Sequence, residues 1–154
     1  MNRSIIALLT LILTASVAVP TAATSMRDFG YLNGSWNCIA GKQKYTESWS
    51  PALGGAFMRA TDRTPGKSDA EHTVSLAKDG RTMTVVDLYG DDGSSDVVRG
   101  NATSTHATLN AVYPAQLKLS VIFNRITPSK YVVDVSGLNP KGKPFRQHNV
   151  CTKA

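Results

Sequence analysis

Apolar and polar side chains alternate along most of the chain, and this two-residue period is typical of β-strands with one buried face. The clearest example is the segment Leu117–Asn124, in which every second side chain from Leu117 to Phe123 is apolar. A helical period occurs outside the N-terminal run only in Ser25–Leu32, which predicts one short helical turn. The sequence therefore predicts an all-β protein.

Turn-forming residues recur at short intervals and divide the chain into about ten short strands. The loops between them are short and no segment has the pattern of a crossover helix, so we expect an antiparallel meander. The predicted strands are Ser35–Ala40, Lys44–Ser50, Ala56–Asp62, Glu71–Ala77, Thr82–Leu88, Asp96–Ala102, Thr105–Ala111, Leu117–Arg125, Lys130–Ser136 and Phe145–Cys151.

The N-terminal segment has the pattern of a secretory signal peptide. One positive residue, Arg3, precedes the apolar run Ile5–Val19, and small residues follow. This pattern predicts cleavage after Ala23, and the run is too short for the alternative, a membrane anchor. We therefore predict a signal peptide at residues 1–23 and one domain at residues 24–154. That domain is expected in the periplasm or the extracellular space, with no stable membrane anchor after cleavage.

The only two cysteines, Cys38 and Cys151, lie in the first and last predicted strands. An even number of cysteines in an exported chain indicates a disulfide. A bridge between these strands would bring the two edges of the meander together, which predicts a closed up-and-down β-barrel with no exposed edge. A β-sandwich of two sheets could also bring the cysteines together, and it stays open as the alternative.

The formal net charge is +6 for the whole chain and falls to +5 when Arg3 is removed with the signal peptide. Basic residues are scattered singly or in pairs, and they are densest between Lys141 and Arg146. Because a nucleic-acid interface needs a basic patch or stripe, nucleic-acid binding is not expected. Weak attraction to an anionic envelope surface stays open, although a solvated basic face is the simpler interpretation.

Two motifs carry a resemblance to a known superfamily. The first, G-x-W-x-C, occupies Gly34–Cys38, and the second, W-x-P-x-L-G-G, occupies Trp49–Gly55. With a cysteine near the C-terminus, they resemble the calycin superfamily, and in particular lipocalin-like barrels of a bacterial secreted family. The resemblance extends over nearly the whole exported domain. It implies a barrel whose interior holds a small hydrophobic or amphipathic ligand.

Alternation assigns candidate side chains to that interior. Tyr45, Glu47 and Trp49 share one face of the second strand, and the two aromatic residues indicate that it is the inner face. Phe57 and Arg59 share a face of the third strand, so Arg59 either pairs with Glu47 inside or reaches solvent through a bulge or register shift. The candidate ligand-binding residues are Trp36, Tyr45, Glu47, Trp49, Phe57, Arg59, Phe123 and Tyr131. For the apolar members, ordinary core packing is the alternative.

The three histidines, His72, His106 and His148, form no H-x-H or H-x-x-x-H pair, so no local metal site is predicted. The late His148 can be compared with the haem ligand of the calycin-like nitrobindins. It is three residues from Cys151, however, and therefore lies on the opposite face of the last strand. No metal ligand and no cofactor is predicted.

Catalytic signatures are weak. Ser75, Asp87 and His106 could form a triad, but no G-x-S-x-G elbow accompanies them. The acidic turn Asp91–Asp96 lacks the spacing of an EF-hand. We therefore predict a non-enzymatic, exported protein that binds a small hydrophobic or amphipathic molecule, with no catalytic residue assigned. The alternatives are a solid barrel that acts through its exterior as an envelope interaction or inhibitor module, a haem-binding barrel, and an enzyme.

Overall fold

The two-residue period of apolar side chains corresponds to ten β-strands that close into one barrel in the computed structural model, which describes residues 25–154. The strands are β1 (Gly34–Ala40), β2 (Gln43–Ala52), β3 (Phe57–Arg63), β4 (Ala70–Leu76), β5 (Thr82–Tyr89), β6 (Ser95–Ala102), β7 (His106–Tyr113), β8 (Ser120–Thr127), β9 (Lys130–Leu138) and β10 (Pro144–Lys153). A 3₁₀ helix, Met26–Leu32, precedes β1, and two short 3₁₀ turns, Leu53–Gly55 and Ala115–Leu117, precede β3 and β8. Within the described part of the chain, no helix is long and apolar enough to span a membrane. The signal peptide predicted at residues 1–23 lies outside the described residues.

Each strand pairs antiparallel with its neighbours in sequence, and β1 pairs with β10 to close the sheet. The predicted all-β barrel is therefore confirmed, and the sandwich alternative is wrong. Predicted and observed strand ends agree within two residues except at the start of β8. There Leu117 ends a 3₁₀ turn and Lys118 adopts a left-handed φ of 46°, so the strand begins only at Ser120.

The seam between β1 and β10 carries the disulfide. Cys38 lies directly opposite Cys151 in the register of these strands. The two residues form the predicted bridge, with Cα atoms 4.2 Å apart, and both are 1% exposed. The bridge joins positions 113 residues apart, and in the chain-entropy model a loop of this length corresponds to about 4 to 5 kcal/mol of destabilisation of the unfolded state.

The N-terminal 3₁₀ helix covers one end of the barrel. Its side chains Phe29 and Leu32 are buried in the core. Trp36 of β1 is 0% exposed, and its indole N–H donates a hydrogen bond to the Leu32 carbonyl at 2.6 Å. The Trp36 ring packs against Tyr131 of β9, with ring centroids 4.7 Å apart. This end is therefore filled with side chains, whereas the opposite end is formed by loops.

We expect the change Gly100→Ala to lower the free energy of unfolding by about 1–3 kcal/mol, the range of overpacking changes. Gly100 lies where β6 approaches β7, and a Cβ there would be 2.0 Å from the Thr108 carbonyl oxygen. The matched control is Gly30→Ala, because a Cβ at Gly30 meets no atom within 4 Å. Urea unfolding measures both changes. Equal destabilisation by the two variants would contradict the close approach of β6 and β7.

Replacement of both cysteines, Cys38→Ala with Cys151→Ala, is expected to lower the free energy of unfolding by about 2–5 kcal/mol, because the unfolded chain regains loop entropy. Denaturant unfolding under non-reducing conditions measures the difference. A thiol assay on the unfolded, unreduced protein serves as the control, since two reactive thiols there would refute the bridge.

Candidate ligand-binding site

A cavity of about 670 Å³ lies inside the barrel. Its lining begins at Phe29 and Leu32, at the covered end, and reaches the exposed residues Gln43, Lys67 and Asp91 at the other end. Small-molecule sites commonly measure about 300 to 1,000 Å³. The barrel interior is therefore large enough for a small ligand, and the cavity reaches the open end.

One wall of the cavity is apolar. Val121 and Phe123 of β8 and Val133 and Val135 of β9 line it, because alternate side chains of these strands point inward. All four are only partly buried, since the cavity leaves part of their surface uncovered. Further apolar side chains of β4 to β7 complete the wall towards the covered end.

A row of ionisable side chains crosses the inner faces of β2 to β6. We call it the acidic ladder, and it consists of Glu47, Asp62, His72, Asp87 and Asp96. Glu47 is paired with Asp62, His72 with Asp87, and Asp87 with Asp96 in the strand register. Directly opposed residues share a face of the sheet. When one residue of such a pair faces the interior, its partner on the neighbouring strand faces the interior as well.

His72 is the centre of the acidic ladder. Its Nδ1–H donates a hydrogen bond to Asp87 Oδ1 at 2.5 Å. Its Nε2 lies 3.0 Å from Asp62 Oδ2, an ion-pair distance, but the oxygen lies off the N–H axis and Nε2 has no hydrogen-bond partner within residues 25–154. The imidazole is thus bracketed by two carboxyl groups.

Aromatic residues hold the two ends of the ladder. Glu47 is 7% exposed, and the Trp49 indole N–H donates to its Oε2 at 2.7 Å and to the Tyr131 hydroxyl at 3.3 Å. Asp96 is 6% exposed, and its Oδ2 accepts a hydrogen bond from the Tyr89 hydroxyl at 2.8 Å. The other oxygen of Asp96, Oδ1, is buried and has no partner in the described part of the chain.

The environment of the ladder changes its protonation. Burial raises the pKa of Glu47 to about 8, and the charge of Asp62 adds to the effect. Burial also raises the pKa of Asp96 to about 7, together with the charge of Asp87. Burial alone would lower the pKa of His72, but its contacts with Asp62 and Asp87 raise that pKa well above the ordinary value. The two neighbouring carboxyl groups therefore favour the protonated form of His72.

Three members of the ladder have the donor atoms for a metal ion. Glu47, Asp62 and His72 each offer one ligand atom, and these atoms lie within 4.8 Å of one another. Carboxylate and imidazole ligands suit Zn²⁺ or Mn²⁺, and Asp87 would orient the imidazole from its far side. A metal binds neutral imidazole, so it would have to displace the proton that the two aspartates hold on His72.

Five of the eight predicted ligand-binding residues line the cavity, and three do not. The five are Tyr45, Glu47, Trp49, Phe123 and Tyr131. Of the other three, Trp36 is part of the filled end of the barrel and lies outside the lining. Its indole N–H is already bonded to the backbone, so Trp36 is a core residue.

Phe57 and Arg59 lie on the outer surface, which corrects their place among the candidate ligand-binding residues. For Arg59 this is the solvent-exposed alternative, and it occurs without a register shift between β2 and β3. Ala60 is directly opposite the inward Trp49 in the β2–β3 register, and opposed residues share a face. Arg59 and Phe57 are one and three residues from Ala60, so they lie on the opposite face of β3 and point outward. Arg59 is 54% exposed and pairs with Glu71 on the outside at 2.5 Å.

Sequence reasoning missed four members of the acidic ladder, Asp62, His72, Asp87 and Asp96. One signal in β3 points to them. An Ala is a better inner residue than an Arg, which favours Ala60 over Arg59 as the inward residue, and Asp62 lies two residues after Ala60 and so shares its face. Once the inner face of β3 is assigned in this way, the register brings the neighbouring polar residues inside.

The other two histidines lie on the outer surface. His148 is 63% exposed and its Nδ1 lies 2.6 Å from Asp134 Oδ1, as expected from its spacing from Cys151. His106 is exposed and bonds Asn124 and Thr108. Neither histidine lines the cavity, so neither could ligate a group bound there.

The fold and the site define a closed antiparallel β-barrel with an internal, partly acidic cavity. No family model matches the chain, and no curated protein matches it. Among solved structures, a redesigned β-barrel matches 86% of this chain and 98% of its own chain, at 13% identity and a TM-score of 0.37. That likeness is too weak to carry a conclusion. Membership of the calycin superfamily stays a prediction.

The free energy of unfolding is expected to fall as the pH rises from 5 to 9. The pKa values of Glu47, Asp96 and His72 are raised in the folded state. The folded protein therefore binds more protons than the unfolded chain in this interval, which makes the slope of stability against pH negative. The stabilising contribution of His72 is complete below its ordinary pKa and is lost as pH rises through the raised pKa. One pKa unit corresponds to about 1.4 kcal/mol, and we expect a decrease of at least about this size by chemical denaturation.

The variant Glu47→Gln should flatten this slope, because it removes one of the carboxyl groups that ionise more easily in the unfolded chain. Asp134→Asn is the matched control, since Asp134 is 49% exposed on the outer surface. An unfolding free energy that rises between pH 5 and pH 9 would contradict the buried state of the ladder.

Proposed function

We propose that this protein is an exported, non-enzymatic binding protein that holds one small amphipathic molecule inside its barrel. The observation that carries the proposal is the cavity of about 670 Å³, in which an apolar wall faces the acidic ladder. Burial of an apolar body against β8 and β9 supplies affinity, and the polar groups of the opposite wall fix its orientation.

Export is supported by two features. The pattern of residues 1–23 is that of a signal peptide. The disulfide between Cys38 and Cys151 suits an oxidising compartment, because such bridges are rare where thiols are kept reduced. The predicted place of action is therefore the periplasm or the extracellular space.

The alternative functions have less support. A barrel that acts only through its exterior needs no internal cavity. A hydrolase would need a nucleophile beside its base, but of the residues considered for a triad only Asp87 lines the cavity, where its partner is His72. A haem protein would need an inward ligand. His148 points outward, and the inward His72 already has Asp62 and Asp87 beside its two ring nitrogens.

Two consecutive valines of β9 give a matched test. Val133 lines the cavity, whereas Val132 does not. We expect the neutral fluorescent probe N-phenyl-1-naphthylamine to bind the unmodified protein with enhanced emission. Val133→Phe should raise the dissociation constant of the probe at least tenfold, because the larger ring occupies the space that the probe needs. This rise corresponds to a loss of about 1.4 kcal/mol of binding free energy. Val132→Phe should leave binding unchanged.

Absence of probe binding, or equal loss in the two valine variants, would contradict binding inside the barrel. Native mass spectrometry of protein purified from its own host provides an independent check. The expected result is an additional small mass that is lost on unfolding.

A further inference from the structure

We propose that the molecule bound in the cavity is an organic cation, with a protonated amine or quaternary ammonium head against the acidic ladder and an apolar tail against β8 and β9. This inference rests on the proposed function and adds the chemical class of the ligand.

The charge of the cavity is opposite to that of the chain. The whole sequence has 17 Lys and Arg residues against 11 Asp and Glu residues. The cavity lining, in contrast, has five acidic residues, the four carboxyl groups of the ladder and Asp91 at the rim, and one lysine. The lysine, Lys67, is exposed and donates a hydrogen bond to Gln43 at 3.2 Å. The chain therefore concentrates negative charge where a ligand would lie.

His72 neutralises only part of this charge. It is the single basic member of the ladder and is shared between Asp62 and Asp87. Asp62 Oδ1 and Asp96 Oδ1 are buried and have no hydrogen-bond partner within the described residues. A buried carboxyl oxygen without a donor is costly, and both side chains line the cavity. An ammonium head in the cavity supplies positive charge beside these two carboxyl groups.

Aromatic rings stand beside the carboxyl groups. Tyr45, Trp49 and Tyr131 line the cavity around Glu47, and Tyr89 lines it beside Asp96. Aromatic faces attract cations, including quaternary ammonium groups that cannot donate hydrogen bonds. An anionic head would instead meet carboxyl groups along the whole ladder. The combination of rings and carboxylates favours a cation over a neutral or anionic ligand.

Three probes with the same tail and different heads test the inference: decyltrimethylammonium, 1-decanol and decanoate, each below its aggregation concentration. Displacement of N-phenyl-1-naphthylamine gives their affinities at pH 7.5 and low salt. We expect the ammonium to bind at least tenfold more tightly than the alcohol, and decanoate to bind most weakly.

Variants of the ladder should remove the preference for the cation without removing the cavity. Asp96→Asn and Glu47→Gln are each expected to reduce the ratio of ammonium to decanol affinity by threefold or more, while decanol affinity changes little. Asp134→Asn, on the outer surface, is the control and should keep the ratio. Retained decanol binding shows that a variant is folded. If one of the two ladder variants no longer binds decanol, the other variant alone is used for the comparison.

The outcomes separate this inference from the proposed function. Equal binding of ammonium and alcohol, or preferred binding of decanoate, would overturn the cation inference and leave the binding function standing. An unchanged ratio in both ladder variants would also overturn it. Failure of all three probes and of the neutral fluorescent probe would overturn both proposals.

Discussion

The pairing of β1 with β10 is the constraint on which the rest of the structure depends. It converts a meander with two free edges into a closed surface, so that every second side chain of every strand faces a common interior. The disulfide between Cys38 and Cys151 lies in this seam and makes its separation costly. On an open sheet the same alternate residues would face solvent or a second layer, and the acidic ladder would not enclose a shared space.

The ladder places titratable groups in the interior, where burial of a charge is costly. Taking carboxyl groups out of water is unfavourable unless they are paired or protonated. Both responses occur here, because His72 is held between Asp62 and Asp87 while Glu47 and Asp96 bind protons more tightly than usual. A barrel of this size could be filled with apolar side chains instead. Retention of a polar wall beside an apolar one is therefore the feature of the interior that a binding role explains.

The strands and the closure could be predicted from sequence because both depend on local or pairwise signals. A period of two residues defines a strand without knowledge of its partners, and two cysteines are enough to join the ends. The inner face of β3 could not be assigned in the same way. Phe57 and Arg59 alternate with Met58 and Ala60. The contrast between Ala60 and Arg59 favours Met58 and Ala60 as the inner set, but the large apolar ring of Phe57 favours the opposite assignment.

Only the register decides that choice. Trp49 lies opposite Ala60, and this one pairing moves Arg59 out of the interior and brings Asp62 into it. The error then spreads to the neighbouring strands, because His72, Asp87 and Asp96 become recognisable as a group only after Asp62 is placed beside Glu47. The candidate site was therefore predicted along β2, β8 and β9 and missed along β3 to β6.

The 3₁₀ helix over one end of the barrel also has a kinetic consequence. A cavity covered at one end exchanges its contents through the other, so an incoming molecule and the water that it displaces must pass through the same opening. The loop between β3 and β4 borders that opening, where Lys67 bonds Gln43 and the Ser68 amide bonds Asp91. These contacts are far from the covered end, and they bear on how fast the barrel fills and empties more than on how tightly it holds what is inside.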